Sequence, residues 1–150
     1  MKVIPAGKAH FSEWLEMRVM LWPTCVREEL SQDIARVLRS RRQAGLLAVS
    51  DSGEIAGFAE VSTRNYVDGC KSSPVGYLEG IYVRPEYRHQ GIATALVRAG
   101  EAWARSKGCS EMGSDTELDN EDSMKFHRAI GFREIERHVV FLKAITEQPT

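Results

Sequence analysis

Glu79 sits in the middle of Tyr77-Leu78-Glu79-Gly80-Ile81-Tyr82-Val83, a stretch otherwise apolar apart from its glycine. A carboxylate is costly to bury unless it is paired or put to use. Four readings stay open for it. It is a general base whose pKa burial raises, a partner for a substrate ammonium, a relay through water, or a side chain aimed at solvent or a partner arginine. Asp115 belongs to a second chemical stretch. From Glu111 to Asp122 there are six acids (Glu111, Asp115, Glu117, Asp119, Glu121, Asp122) and no Lys or Arg. Such a run serves as a solvated face or a helix cap, with Asp122 a candidate cap, and it also draws a polycation. The third stretch is Arg88-His89-Gln90-Gly91-Ile92-Ala93. Gly91 lets backbone come close to a ligand, and unpaired N–H groups at the start of a helix make an anion site there.

These residues need elements to hold them. Tyr77 to Val83 reads as a strand, Arg84-Pro85 as a turn, and the segment after Gly91 as a helix. In that helix Ile92, Leu96, Gly100 and Trp103 share a stripe, with Ala93, Val97 and Ala104 beside it. Upstream, a first strand is expected over Lys2 to Pro5. A helix should run from about Ala9 to Leu21, with Phe11, Trp14, Leu15, Arg18 and Val19 near helical spacing and Pro23 ending it. A second helix is expected from Val26 to Ser40, with Leu30, Ile34, Val37 and Leu38 on its apolar face. Leu46–Ser50 and Ile55–Thr63 should be strands joined by Asp51-Ser52-Gly53. Arg64 to Pro74 is a polar loop. Cys109–Ser114 is expected as a fifth strand, Glu121–Ile130 as a short helix ended by Gly131, and Phe132–Glu136 and His138–Leu142 as final strands. The pattern predicts an α/β fold whose sheet has six or seven strands.

With 150 residues, 43% hydrophobic and 27% charged, the chain fits one domain with a sizeable core, spanning 1–150. A net charge of −1 argues against a general nucleic-acid binder. No run is long and apolar enough for a membrane span, and the N-terminus lacks a signal core, so a soluble cytoplasmic protein is expected. Cys25, Cys70 and Cys109 form no CxxC pair and read as reduced thiols. His10, His89, His127 and His138 show no ligand spacing, so no metal is expected.

Arg88-His89-Gln90-Gly91-Ile92-Ala93, an apolar strand ending in Val-Arg-Pro before it, an amphipathic helix after it, and the later Phe126 to Phe132 with its closing Gly-Phe together resemble the GCN5-related N-acetyltransferases (GNAT). The resemblance covers nearly the whole chain. It implies the GNAT acyl-CoA N-acyltransferase fold, a mixed central sheet flanked by about four helices, with acetyl-CoA as co-substrate. By resemblance, backbone of Ile81, Tyr82 and Val83 pairs with the pantetheine arm. His89, Gln90, Gly91, Ile92, Ala93 and Thr94 would hold the pyrophosphate, and Arg84, Arg88 and His89 are within the region that meets coenzyme phosphates. Many members carry a tyrosine in the late helix as the acid for the leaving thiolate. His127 stands at that position here. A histidine can donate a proton or be structural, so that role is not assigned to it.

A narrower likeness follows. Leu21-Trp22-Pro23, Asn65 to Cys70, Ser72-Ser73-Pro74, Leu78 to Ile81 and Ser114-Asp115-Thr116 resemble the aminoglycoside 6′-N-acetyltransferases within that family. The likeness implies acetylation of the 6′ amine of kanamycin- or tobramycin-type antibiotics, hence resistance. It also implies Trp22, Tyr66, Glu79 and Asp115 at the drug site. Glu136 matches an acid near it, contributed by the same chain or by the second subunit of a homodimer, and Asn120 matches a coenzyme contact. The residues agree in kind, since carboxylates pair with ammonium groups and aromatic rings stack on a sugar face. Glu79 and Asp115 are the candidate catalytic residues. Two other readings compete: the same fold acting on another amine (a polyamine, a small metabolite, a protein or peptide amine), and a non-catalytic acetyl-CoA sensor.

Overall fold

The computed structural model describes residues 1–146 of the chain. It divides into two units, Met1–Asp115 and Thr116–Thr150.

The first unit is a sheet with helices on both faces. β1 (Lys2–Pro5) is followed by a 3-10 turn and α1 (Phe11–Leu21), then α2 (Arg27–Arg39), β2 (Gln43–Val49), β3 (Ile55–Arg64), β4 (Val75–Val83), α3 (Ile92–Ser106) and β5 (Met112–Ser114). The strands lie in chain order. All neighbours are antiparallel except β4 and β5, which are parallel and joined through α3. The hairpin between β2 and β3 turns at Gly53, whose φ of 88° only glycine adopts without strain.

α1 and α2 cover one face. Trp14, Met17, Leu30 and Ile34 pack there against Leu47 and Phe58. Arg18 and Glu60 are also buried on this face, 5% and 4% exposed. α3 covers the other face with Leu96, Val97 and Ala104. Its approach depends on Gly100, where a Cβ would come within 2.9 Å of a Val61 methyl.

The second unit contains α4 (Glu121–Ala129). Its N-cap is Asn120, whose Oδ1 accepts from the Ser123 N–H at 3.1 Å, rather than Asp122.

The sheet therefore has five strands among the described residues, not six or seven. Phe132–Glu136 and His138–Leu142 carry no strand. A strand exists only by pairing, and among the described residues this segment finds no ladder partner. β5 is shorter than Cys109–Ser114 for a similar reason. Only Met112, Gly113 and Ser114 register with β4.

Candidate active site

The central feature is a fork in the sheet. β4 pairs with β3 as far as Val83, but with β5 only through Gly76, Tyr77 and Leu78. The last rung is Leu78 to Ser114. Beyond it, the β4 edge facing β5 has lost its ladder partner while still carrying N–H and C=O groups. Glu79 and Asp115 are the first residues past that rung on their respective strands. The two acids singled out by the sequence thus stand one on each prong.

A β-bulge shapes the β4 prong. Glu60 pairs with Gly80 and Val61 with Leu78, which leaves Glu79 as the extra residue. Alternation should put Glu79 and Gly80 on opposite faces. Instead both approach groups on the α1/α2 side. A Cβ on Gly80 would lie 2.7 Å from the Trp22 ring, and Glu79 reaches the β3 side chains Ser62 and Arg64. Ser62 Oγ donates to Glu79 Oε1 at 2.6 Å, and Arg64 donates to both carboxylate oxygens at 2.9 and 3.0 Å. Of the four readings of Glu79, the partner arginine is therefore present. With the Glu79 side chain 34% exposed, the carboxylate also faces an open depression of about 410 Å3, bounded by Ser62, Arg64 and Arg42.

Arg64 also ties Glu79 to Asp115. Its guanidinium lies 3.5 Å from the centroid of the Tyr77 ring, and Tyr77 Oη donates to Asp115 Oδ2 at 2.5 Å. Burial first, and then the Asp115 hydrogen bond, push the Tyr77 phenol well above its ordinary value. Tyr77 therefore keeps its proton at working pH and holds Asp115 as an acceptor. The sequence reading missed Arg64, Tyr77 and Ser62. Their signal was same-face spacing, Ser62 with Arg64 and Tyr77 with Glu79, on two strands whose register a long loop left open.

Trp22 follows the last residue of α1, with its backbone N–H bonded to Arg18 O at 2.8 Å. Its ring is half-buried, edge-on to Phe58 at 6.4 Å and close against Gly80. It sits beside the bulge that carries Glu79. Tyr66 is 67% exposed in the loop between β3 and β4. That loop is anchored by Glu111, which accepts from the Lys71 N–H at 2.8 Å and from Ser72 Oγ.

The Ser72 hydroxyl, then the Lys71 N–H, hold the Glu111 carboxyl below its ordinary value. A depressed carboxyl contributes stability that is fully present above the ordinary glutamate value and is lost as pH falls through the lowered one. The Tyr66 loop should therefore loosen in acid in wild type, whereas in Glu111→Ala it should already be loose near neutral pH and lose this pH dependence. Hydrogen exchange at residues 65–74, followed from about pH 6 to about pH 3 across the usual glutamate value, checks this. Equal protection in wild type and variant would contradict it.

At the coenzyme side, α3 begins at Gly91, with φ 78° and ψ 9°. The first full turn closes from the Ala95 N–H to Gly91 O at 3.1 Å. Ile92, Ala93 and Thr94 thus present N–H groups with no carbonyl one turn behind them, at the positive end of the helix. His89 is left-handed as well, with φ 62°, so two such residues flank Gln90 and curl the loop. The Arg88 side chain serves the loop itself, Nε donating to Val83 O at 2.8 Å. Arg84 Nε is buried and makes no hydrogen bond to protein, alone in this among the described side chains. This donor set suits a phosphate.

A Cβ at Gly91 would meet nothing within 4 Å, so only its backbone conformation demands glycine. Gly91→Val should weaken acetyl-CoA binding roughly tenfold, the equivalent of the about 1–2 kcal/mol that a left-handed conformation costs. Calorimetric titration checks it, and an unchanged affinity would contradict it.

Two expected positions, Asn120 and Glu136, lie in the second unit, as does the unassigned His127. Asn120 spends its side-chain oxygen on the α4 cap. Glu136 is exposed and pairs with His138 at 3.3 Å. His127 packs its ring on Phe126 and Phe132 and bonds Ser123 O at 2.7 Å, as a structural residue does.

The profile of the acetyltransferase (GNAT) family matches residues 9–132. This chain belongs to the GNAT family. Among its GNAT relatives, the aminoglycoside N(6′)-acetyltransferase type 1 of Acinetobacter genomosp. 13 is 44% identical over 146 residues, covering 97% of this chain and 99% of that one. The protein of the same name from Klebsiella aerogenes is 43% identical, with 95% and 96% covered. Among solved GNAT structures, AAC(6′)-Iy in complex with the bisubstrate analogue CoA-S-monomethyl-acetylneamine matches with a TM-score of 0.91. It is 39% identical, and 96% of this chain and 98% of that one are covered. Apo AAC(6′)-Ig from Acinetobacter haemolyticus also gives 0.91, at 41% identity and 97% and 100% coverage.

Proposed function

We propose that this chain transfers the acetyl group of acetyl-CoA to the 6′-amino group of aminoglycosides of the kanamycin and tobramycin type, and so confers resistance to them. One observation carries the reading: Glu79 and Asp115 stand at the two prongs of a fork whose open β4 edge leads to a helix N-terminus with donors suited to a phosphate. The full-length likeness to aminoglycoside N(6′)-acetyltransferases supports the choice of acceptor.

Residues 1–150 act as one catalytic domain in the cytoplasm. Backbone of Ile81, Tyr82 and Val83 pairs with the pantetheine arm, and His89 to Thr94 with Arg84 bind the phosphates. Asn120 contacts the coenzyme; its Oδ1 caps α4, which leaves the side-chain NH2 to donate. Trp22 and Tyr66 stack on the aminosugar, Glu79 and Asp115 pair with its ammonium groups, and Glu136 supplies a further acid from this chain or from the second subunit. The chain works as a homodimer. The exposed apolar run Val139, Val140, Phe141 and Leu142 supports this, since it would gain most from a second copy.

The reaction is a direct displacement in a ternary complex. Glu79 or Asp115, through water, removes a proton from the 6′ ammonium. The neutral nitrogen attacks the thioester carbonyl carbon, whose developing oxyanion is stabilised by β4 N–H groups. The C–S bond then breaks, the coenzyme leaves as its thiolate, and the nitrogen, cationic after the attack, gives its second proton to that thiolate or to solvent, leaving the neutral amide. No acyl-enzyme is required, since the amine attacks the thioester directly.

The acidic run from Glu111 to Asp122 also suits polyamines and basic peptides. A competition assay decides between acceptors. Aminoglycosides should be consumed first in a mixture with spermidine and a lysine-rich peptide. Preferred acetylation of either rival would move the assignment to that amine.

A further inference from the structure

Trp14, Arg18 and Trp22 are spaced four apart, on one face of α1 and just past its end. An arginine inside that face is costly, and the fold meets the cost with Glu60. Arg18 Nε and Nη2 donate to the two Glu60 oxygens at 2.7 and 2.6 Å. Trp14 Nε1 donates to Glu60 Oε2 at 2.9 Å, and Arg18 Nη1 reaches Leu30 O at 3.2 Å. The guanidinium is thus fixed by β3, α1 and α2 together. Its Cζ lies 4.8 Å from the centroid of the Trp22 ring. The same ring meets Phe58 at its edge and the Gly80 backbone, where a side chain would not fit. A half-buried indole is thereby held by a planar cation, an aromatic edge and bare backbone.

We infer that Arg18, locked by Glu60, is a positioning residue that sets the orientation of the Trp22 ring for the aminosugar. The inference rests on the proposed contact between Trp22 and the substrate. Arg18 itself is buried and acts through the ring rather than on the substrate. A hydrophobic residue would pack α1 as well, since replacing buried ion pairs by apolar groups is often neutral for stability. What only a fixed guanidinium supplies is a directional, flat contact to the indole.

The test is a double-mutant cycle between Trp22→Ala and the paired change Arg18→Met/Glu60→Gln. The pair removes both charges together and leaves Trp14 Nε1 an acceptor. The paired variant should fold, as judged by circular dichroism and melting. Its aminoglycoside KM should rise roughly tenfold, the worth of a desolvated cation–π contact, while its acetyl-CoA KM stays unchanged. Trp22→Ala should cost much in wild type and little more in the paired background. Arg18→Lys, which keeps a cation beside Glu60 but not the flat face, should raise the aminoglycoside KM without loss of folding, and it serves if the paired variant does not fold. Additive effects, or a wild-type aminoglycoside KM in the folded variants, would overturn the inference at the coupling. No effect of Trp22→Ala in wild type would overturn it at its premise, the contact of Trp22 with substrate.

Discussion

Glu79→Gln should lower kcat/KM for an aminoglycoside by about two to four orders of magnitude, the range expected when a proton acceptor is lost. The substitution is a clean probe because the contacts around Glu79 are weak for folding. Its ion pair with Arg64 has side chains 34% and 43% exposed, and pairs so exposed contribute under about 1 kcal/mol. Glutamine keeps an acceptor for Ser62 and the same shape. What disappears is a carboxylate one residue past the last β4–β5 rung, with one face toward the open depression. The acetyl-CoA KM should stay near wild type. A loss under about tenfold would hand the proton to Asp115. Asp115→Asn, with Tyr77 still donating to it, would then show the larger defect.

Glu60→Ala should destabilise the fold by about 3–5 kcal/mol, because it removes the bidentate partner of the buried Arg18 guanidinium and leaves it only Leu30 O at 3.2 Å and the Asp33 carboxylate at 3.4 Å. Two donors from Arg18 and one from Trp14 converge on this carboxylate, which is only 4% exposed. Each loses its partner with little water to replace it. In a chain of this length the change corresponds to a fall in Tm of roughly 10 °C. Urea denaturation and thermal melting check it. The contrast with Glu79→Gln is part of the prediction. Both remove a carboxylate from adjacent strands on the same face, yet burial makes one a stability residue and exposure leaves the other to chemistry. A loss below about 1 kcal/mol for Glu60→Ala would mean water reaches Arg18.

Local signals in the chain carried far. The hairpin at Asp51-Ser52-Gly53 and the strand–loop–helix from Tyr77 to Lys107 were legible because each is specified by neighbours in sequence: a turn, an alternating run, a helical stripe. β1 came out with its bounds as read, and Gly91 at the start of α3 is left-handed as its role there requires. The two candidate acids were legible as anomalies, a carboxylate in an apolar strand and an acidic run after a short one.

Features set by pairing between distant segments were not legible. The bulge at Glu79 arises from the β3–β4 register, which a long connecting loop does not dictate. Without that register, Arg64 looked like a loop residue rather than the cation shared by Glu79 and Tyr77. Arg18 fitted the helical spacing of α1, but only the position of Glu60 on β3 explains a charge there. The last apolar run, His138 to Leu142, looked like a strand by composition. Composition cannot supply the partner that a strand needs, and the described residues contain none.

The central claim is transfer to a 6′ amine, and the most direct measurement is thiol release from acetyl-CoA by the purified protein. Kanamycin or tobramycin would be compared with an analogue whose 6′ position carries hydroxyl in place of amine. The account predicts turnover with the amine and none with the hydroxyl analogue. Equal turnover with both would contradict the regiochemistry, and no turnover with any aminoglycoside despite tight coenzyme binding would contradict the assignment of the acceptor.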